Sequence, residues 1–184
     1  MKMQQASSVT VAGLLVAGSL VAVVLAETHG AVRYGSEIAS SRLTVEGTST
    51  VHNWTVEARI IRGELVFYEG EPSWLWTNSD AAPQTLAATV HVEIPAGLLK
   101  SDNSGLNRRM YEALKAAAHP MITYRLETAA IKTGRTADED DSGVVLTVDT
   151  RGVLTVAGVD QTVDIPMQVK RLPDDRLEVS GETS

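Results

Sequence analysis

The sequence predicts an all-β domain: an antiparallel sheet curled into a sandwich or barrel, with one short amphipathic helix. Three observations predict it. Apolar and polar residues alternate in run after run, turn-forming residues separate the runs, and a single stretch, GLNRRMYEALKAAAHPMITY from Gly105 to Tyr124, carries helical spacing. Successive side chains of a strand point to opposite faces, so a period of two gives each run one apolar and one polar face.

The runs follow one another along the chain. Leu43 and Val45 alternate with Thr44 and Glu46, and Trp54, Val56, Ala58 and Ile60 with Thr55, Glu57 and Arg59. Leu86, Ala88, Val90, Val92 and Ile94 enclose Ala87, Thr89, His91 and Glu93. Ile122, Tyr124 and Leu126 alternate with Thr123, Arg125 and Glu127. Leu146 and Val148 continue the series, as do Val163, Ile165, Met167 and Val169, then Leu177 and Val179. Turn signals punctuate them at Glu69-Gly70-Glu71-Pro72, Lys132-Thr133-Gly134, Ala157-Gly158-Val159-Asp160 and Leu172-Pro173-Asp174-Asp175. Several half-buried strands with little helix between them make an antiparallel sheet rather than a βαβ fold.

In the helical stretch, Leu106, Met110, Leu114 and Ala117 recur at spacings of four, four and three, which places them on one face. Arg108, Glu112 and Lys115 take the other side. Asp102, Asn103 or Ser104 can cap its start, and His119-Pro120 is expected to stop it. Such a helix plugs one end of the barrel or acts as a lid over a cavity.

Composition sets the outer limits. The 184 residues support one domain with a substantial core, and a hydrophobic fraction of 43% argues against global disorder. Aromatic residues are only 4%, so aliphatic side chains must build the interior. A net charge of -7 and the lack of any dense Lys/Arg cluster argue against nucleic-acid binding. There is no cysteine, hence neither a disulfide nor a lipid attachment point of that kind. The run Val9–Ala26 is uncharged and ends in Val24-Leu25-Ala26 before polar Glu27 and Thr28, the layout of a secretory signal peptide. The expectation is cleavage after Ala26 and a periplasmic or secreted protein, with retention as a membrane anchor as the rival reading. Residues 27–39 would then be a flexible mature N-terminus and 40–184 the barrel domain.

Three segments in order resemble the YceI-like, polyisoprenoid-binding family. LTVEGTSTVHNWTVEARIIRGEL, from Leu43, resembles its opening, a small polar stretch leading into a tryptophan-bearing strand. GLNRRMYEALKAAAHPMITYRL, from Gly105, is similar to its helix, proline and following strand, and RGVLTVAGVDQTVDIPMQV, from Arg151, to its late hairpin. The resemblance implies an extended lipocalin-like β-barrel, usually of eight antiparallel strands, exported from the cytoplasm and holding an isoprenoid chain or related lipid in an apolar tunnel. The family pattern usually continues beyond the strand near Gly181 with segments that close the barrel, whereas this sequence stops at Ser184. The expectation therefore has two forms: a ring without its C-terminal closing strands, or a ring closed in another way.

Under that resemblance the ligand-binding candidates are the apolar faces of the runs. They are Trp54, Val56, Ile60, Leu86, Val90, Val92, Tyr124, Leu126, Leu146, Val148 and Met167, with Met110 and Leu114 from the helix. Met110 and Met167 stand out because flexible thioethers adapt to varied ligands. His52, Arg108, Arg109 and Tyr111 are candidate contacts for a lipid headgroup. No cofactor is expected, and partners would be an apolar lipid and, during exchange, a membrane surface. Other readings are an exported interaction module with a self-filled core, or an enzyme acting on a lipid in the cavity.

Catalytic motifs are missing. His29, His52, His91 and His119 have no paired ligand spacing, and no Gly-x-Ser-x-Gly elbow occurs. Asp138, Asp140, Ser142, Gly143 and Asp149 imitate a calcium loop, but Val144, Leu146 and Val148 read as a strand where the outgoing helix should begin. That segment is expected to be a solvated acidic turn.

Overall fold

The computed structural model describes residues 14–28, 30–48, 53–68, 75, 85–132, 136–137, 144–172 and 175–183. Strands dominate: β1 (Leu14–Thr28), β2 (Ala31–Ser36), β3 (Arg42–Thr48), β4 (Asn53–Ala58), β5 (Arg62–Phe67) and β6 (Ala88–Pro95) precede the helix α1 (Ser104–Ala113). After it come β7 (Met121–Ile131), β8 (Thr136–Ala137), β9 (Val144–Val156), β10 (Val159–Arg171) and β11 (Leu177–Thr183). Among the described residues, eight strands close a ring in the order β1-β2-β5-β6-β7-β9-β10-β11 and back to β1, with all neighbours antiparallel. The fold is the expected lipocalin-like barrel.

The expected alternation holds strand by strand. In β6 the side chains of Ala88, Val90, Val92 and Ile94 are half-buried while Thr89 and His91 are exposed. In β10, Val163, Ile165, Met167 and Val169 turn inward while Asp164, Pro166 and Gln168 are exposed. The long β9–β10 hairpin turns at Ala157 and Gly158, with φ of 53° and 78°. Two consecutive positive φ values give the primed turn whose twist suits a two-residue hairpin. In β7 a bulge between Leu126 and Thr128 resets the phase, so that Ala129 rather than Thr128 is buried.

Closure comes from an unexpected strand. Residues 14–26, expected to leave as a signal peptide, form most of β1. Val16–Ala22 of β1 pair with Leu177–Thr183 of β11. Its other edge pairs first with Arg42–Gly47 of β3 and then with Ala31–Ser36 of β2. The ring is thus closed at its N-terminal end, without strands beyond β11. An uncharged run of small and β-branched residues satisfies both a signal peptide and a strand, so periodicity could not separate the two. The described residues between Ala31 and Ser40 are part of the fold as well: β2 pairs with β5 through Val32–Gly35, Tyr34 is 1% exposed, and Ile38–Ser40 form a 3-10 turn. The barrel therefore begins before residue 40.

The β3–β4 hairpin leaves the ring, since β4 pairs with β3 alone among the strands. It covers one end together with α1. Val56, Ala58 and Leu99 are buried there against Leu106, Met110 and Leu114 of the helix. Backbone bonds between Glu57 and Lys100, at 2.8 and 2.9 Å, tie β4 to the segment that leads into α1. Asn103 supplies the cap: its side-chain oxygen accepts from the backbone N–H of Gly105 at 2.9 Å and of Leu106 at 3.1 Å. The helix ends at Ala113, earlier than the expected stop at His119-Pro120. Lys115 adopts φ of 50°, and the Lys115 and Ala116 N–H groups donate to Glu112 and Tyr111 carbonyls. That paired pattern terminates a helix without proline.

A chain beginning at Glu27 lacks most of β1, and losing burial of Leu20 and Val24 alone should cost about 3 kcal/mol. The expected result is a lower urea midpoint together with new binding of an apolar fluorescent dye; an unchanged midpoint would show that β1 is dispensable. Replacing Asn103 by Ala should cost about 1 kcal/mol, read as a lower midpoint at constant slope.

Candidate ligand cavity

Among the described residues, the ring surrounds two partly open apolar chambers, one of about 200 Å³ and one of about 110 Å³. The larger lies toward the helix-covered end. Its wall includes Gly18, Leu20 and Ala22 of β1, Gly63 of β5, and Val92 and Ile94 of β6. Ile165 of β10 and Gly181 of β11 complete that level, with Tyr34 and Leu43 closing in from β2 and β3. Toward the other end, Phe67, Leu75, Leu86, Leu146, Val148 and Leu177 line the smaller chamber. Tyr34 and Phe67 meet edge to face, with ring centroids 6.3 Å apart and planes at 86°.

Five side chains line both chambers: Leu65, Val90, Tyr124, Met167 and Val179. The pleat explains why. Along β5, β6, β10 and β11 every second residue points inward, and each strand passes from one chamber to the other through one such residue. On β10 the inward sequence is Ile165, Met167, Val169, and on β11 it is Gly181, Val179, Leu177. These five therefore form a waist.

Two glycines shape that waist. A Cβ at Gly152 would run into the Arg125 carbonyl oxygen and the Tyr124 ring, and one at Gly181 into the Met167 sulfur. Leaving out those Cβ atoms lets a tyrosine and a methionine lie across neighbouring strands. Tyr124 is fixed at its tip: its hydroxyl donates to Thr150 Oγ1 at 3.3 Å, and the Thr150 hydroxyl donates to the Ile165 carbonyl at 2.7 Å. Burial pushes the Tyr124 phenol above its ordinary pKa, reinforced by Asp164 and Glu127 and opposed by the Thr150 hydrogen bond. It stays protonated. Among the described residues no buried side-chain nitrogen or oxygen lacks a partner, so the wall itself asks for no polar ligand group.

The candidates divide clearly. Leu86, Val90, Tyr124, Leu126, Leu146, Val148 and Met167 line the smaller chamber, and Val90, Val92, Tyr124 and Met167 the larger. Trp54, Val56, Met110 and Leu114 do not line either. They pack with one another in the separate cluster beneath the helix, because β3 and β4 lie off the ring. Ile60 is half-buried in the link after β4 and lines neither chamber. Arg108 and Arg109 are exposed on the helix surface, and Tyr111 donates its hydroxyl to the Leu99 carbonyl at 2.6 Å. None of the three meets a chamber. His52 and Asp138–Gly143 lie outside the described residues. The polar residues that border the larger chamber are instead Ser19, Arg42, Glu64 and Thr183, and Arg33 holds Glu64 at 2.8 Å.

Residues 27–184 match the family model of the YceI-like domain. The chain belongs to the YceI-like family. The match begins at Glu27, so all of β1 except its last two residues lies N-terminal to the YceI-like domain. A solved structure, the crystal structure of Burkholderia cenocepacia BcnA, aligns at 12% identity over 89% of this chain and 94% of that one, with a TM-score of 0.42. No curated protein matches the chain.

Within this YceI-like barrel, sequence reasoning missed Tyr34, Phe67, Leu65 and the whole β1 wall. Ile165 and Val179 carried a signal that was available, since they share the apolar phase of Met167 and Leu177. Replacing Gly152 by Ala sets a Cβ against backbone, which cannot swing aside as a side chain can. The expected loss is about 1–3 kcal/mol, measured by urea unfolding; a neutral result would mean that Tyr124 does not lie over Gly152.

Proposed function

We propose that this YceI-like protein is a carrier for an apolar isoprenoid-type lipid, held in the barrel interior and handled outside the cytoplasm. The observation that supports it best is the pair of chambers meeting at a waist, their walls almost wholly aliphatic. A hydrocarbon chain is driven into such a space by loss of apolar surface from water, about 25 cal/mol per Å². Burying on the order of 300 Å² is then worth about 7 kcal/mol before the costs of association. No chemistry by the protein is required. His91 sits on the outer face beside Glu93 at 3.3 Å, and His119 packs against the Gly158 turn. Neither lines a chamber, and among the described residues no three His, Asp or Glu side chains converge on a metal-sized point.

Export through the N-terminal run agrees with a family match that starts at Glu27. Cleavage after Ala26 would then remove most of β1 and open the larger chamber between β11 and the β2–β3 side. Retention would keep the wall closed as long as the run stays paired in the ring, because residues held in β1 do not at the same time span a membrane. Val21 and Val23, on the outer side of β1, are only half-buried, and the apolar surface they still expose suits brief contact with a membrane during exchange.

The deciding experiment is native mass spectrometry, with organic extraction, of protein made in a lipid-producing bacterial host. A stoichiometric isoprenoid, quinone or acyl lipid is expected. A folded, monodisperse sample carrying no lipid and binding none when offered would overturn the carrier reading.

A further inference from the structure

The waist is not uniform, and its two largest members differ in freedom. Tyr124 is pinned by its ring over Gly152 and by the relay from its hydroxyl through Thr150 to the Ile165 carbonyl. Met167 has no such anchor. Its sulfur lies over Gly181, its cross-strand partner, where a missing Cβ leaves it room to lie against β11. An unbranched side chain with a polarisable end can swing between rotamers without breaking a hydrogen bond. Leu65, Val90 and Val179 are shorter or stiffer, so Met167 is the part of the waist able to move.

Resting on the carrier reading, we infer that Met167 is a gate that sorts ligands by chain length. With the gate across the waist, the larger chamber alone is available. The smaller chamber's 110 Å³ adds about half as much again to the larger chamber's 200 Å³. The larger chamber therefore takes only a short chain with Met167 in place. A chain of about six units needs both chambers and must displace Met167. The ligand class is therefore a flexible linear hydrocarbon; a rigid polycycle could not bend past the Tyr124 ring to use the second chamber.

The test uses the full 184-residue chain, with farnesol (C15) and hexaprenol (C30) as probes, and measures binding by competition with a fluorescent fatty acid. Met167→Trp should block the waist: C30 affinity falls at least tenfold, and by more than C15 affinity does, since Met167 also lines the larger chamber. Met167→Ala should strengthen C30 binding relative to C15. Because Met167→Trp could disturb folding, Gly181→Ala provides a second variant, since its Cβ presses the Met167 sulfur into the waist and adds only one methyl group to the wall of the larger chamber. Near-ultraviolet circular dichroism checks that each variant is folded. The gate is refuted if C30 binds the folded Met167→Trp and Gly181→Ala variants as tightly as it binds wild type. Failure of folded wild type to bind either chain refutes the carrier reading, and the gate with it. Binding of C15 alone by wild type refutes the gate and leaves the carrier reading standing.

Discussion

An antiparallel sheet leaves no row of unpaired backbone groups only when every strand has a neighbour on both sides. In this barrel that condition rests on β1. Its N-terminal half is held between β11 and β3, and its C-terminal half carries β2, so one strand joins the end of the chain to its beginning. Some other ring contacts, such as β9–β10 and β10–β11, are local hairpins that form wherever their turns form, whereas β2–β5 and β6–β7 join strands across intervening elements. Closure of β1 on β11 is the longest-range step. Gly18, Leu20 and Ala22 also make the wall of the larger chamber, so enclosure of the apolar interior and pairing of the ring have one cause.

A second constraint is the matching of large side chains to absent ones. Gly47 lies under the Trp54 ring, Gly152 under Tyr124 and Gly181 under Met167, each pair drawn from adjacent strands. Small barrels normally fill their own interiors. Here bulky groups lean onto neighbouring strands, and space remains on either side of the waist. Trp54, the largest of them, is spent outside the ring, in the cluster that seals the helix end. Tyr34, Phe67, Tyr124 and Trp54 thus line or seal the interior without filling it.

Much of the fold was legible because a period of two is a direct record of which face is buried. Runs such as Ala88–Ile94 and Val163–Val169 gave both strand identity and the inward residues correctly. Legibility ended where tertiary placement rather than local pattern decides. Trp54 and Val56 have the same alternation as Val90 and Val92, yet the hairpin that bears them folds away from the ring. Met110 and Leu114 face inward on α1 as their spacing implied, but onto that hairpin and not onto the lumen. The bulge in β7 and the left-handed Lys115 are likewise invisible in residue type, since each depends on what the neighbouring element requires.

β1 shows the limit most sharply. Its inward residues Gly18, Leu20, Ala22 and Val24 and its outward residues Ala17, Ser19, Val21 and Val23 include no charge on either side. The outer row of β10, by contrast, reads Asp164, Pro166 and Gln168. A strand whose two faces differ in polarity has its register fixed, because a slip of one residue would bury the polar row. Nothing of that kind fixes β1, whose place is set by backbone pairing to β11, β2 and β3 and by the small volume of its side chains. A ring position with those demands accepts any uncharged strand of small and β-branched residues. A signal-peptide-like run meets those demands by composition alone, and the same composition leaves an apolar outer face that water does not favour.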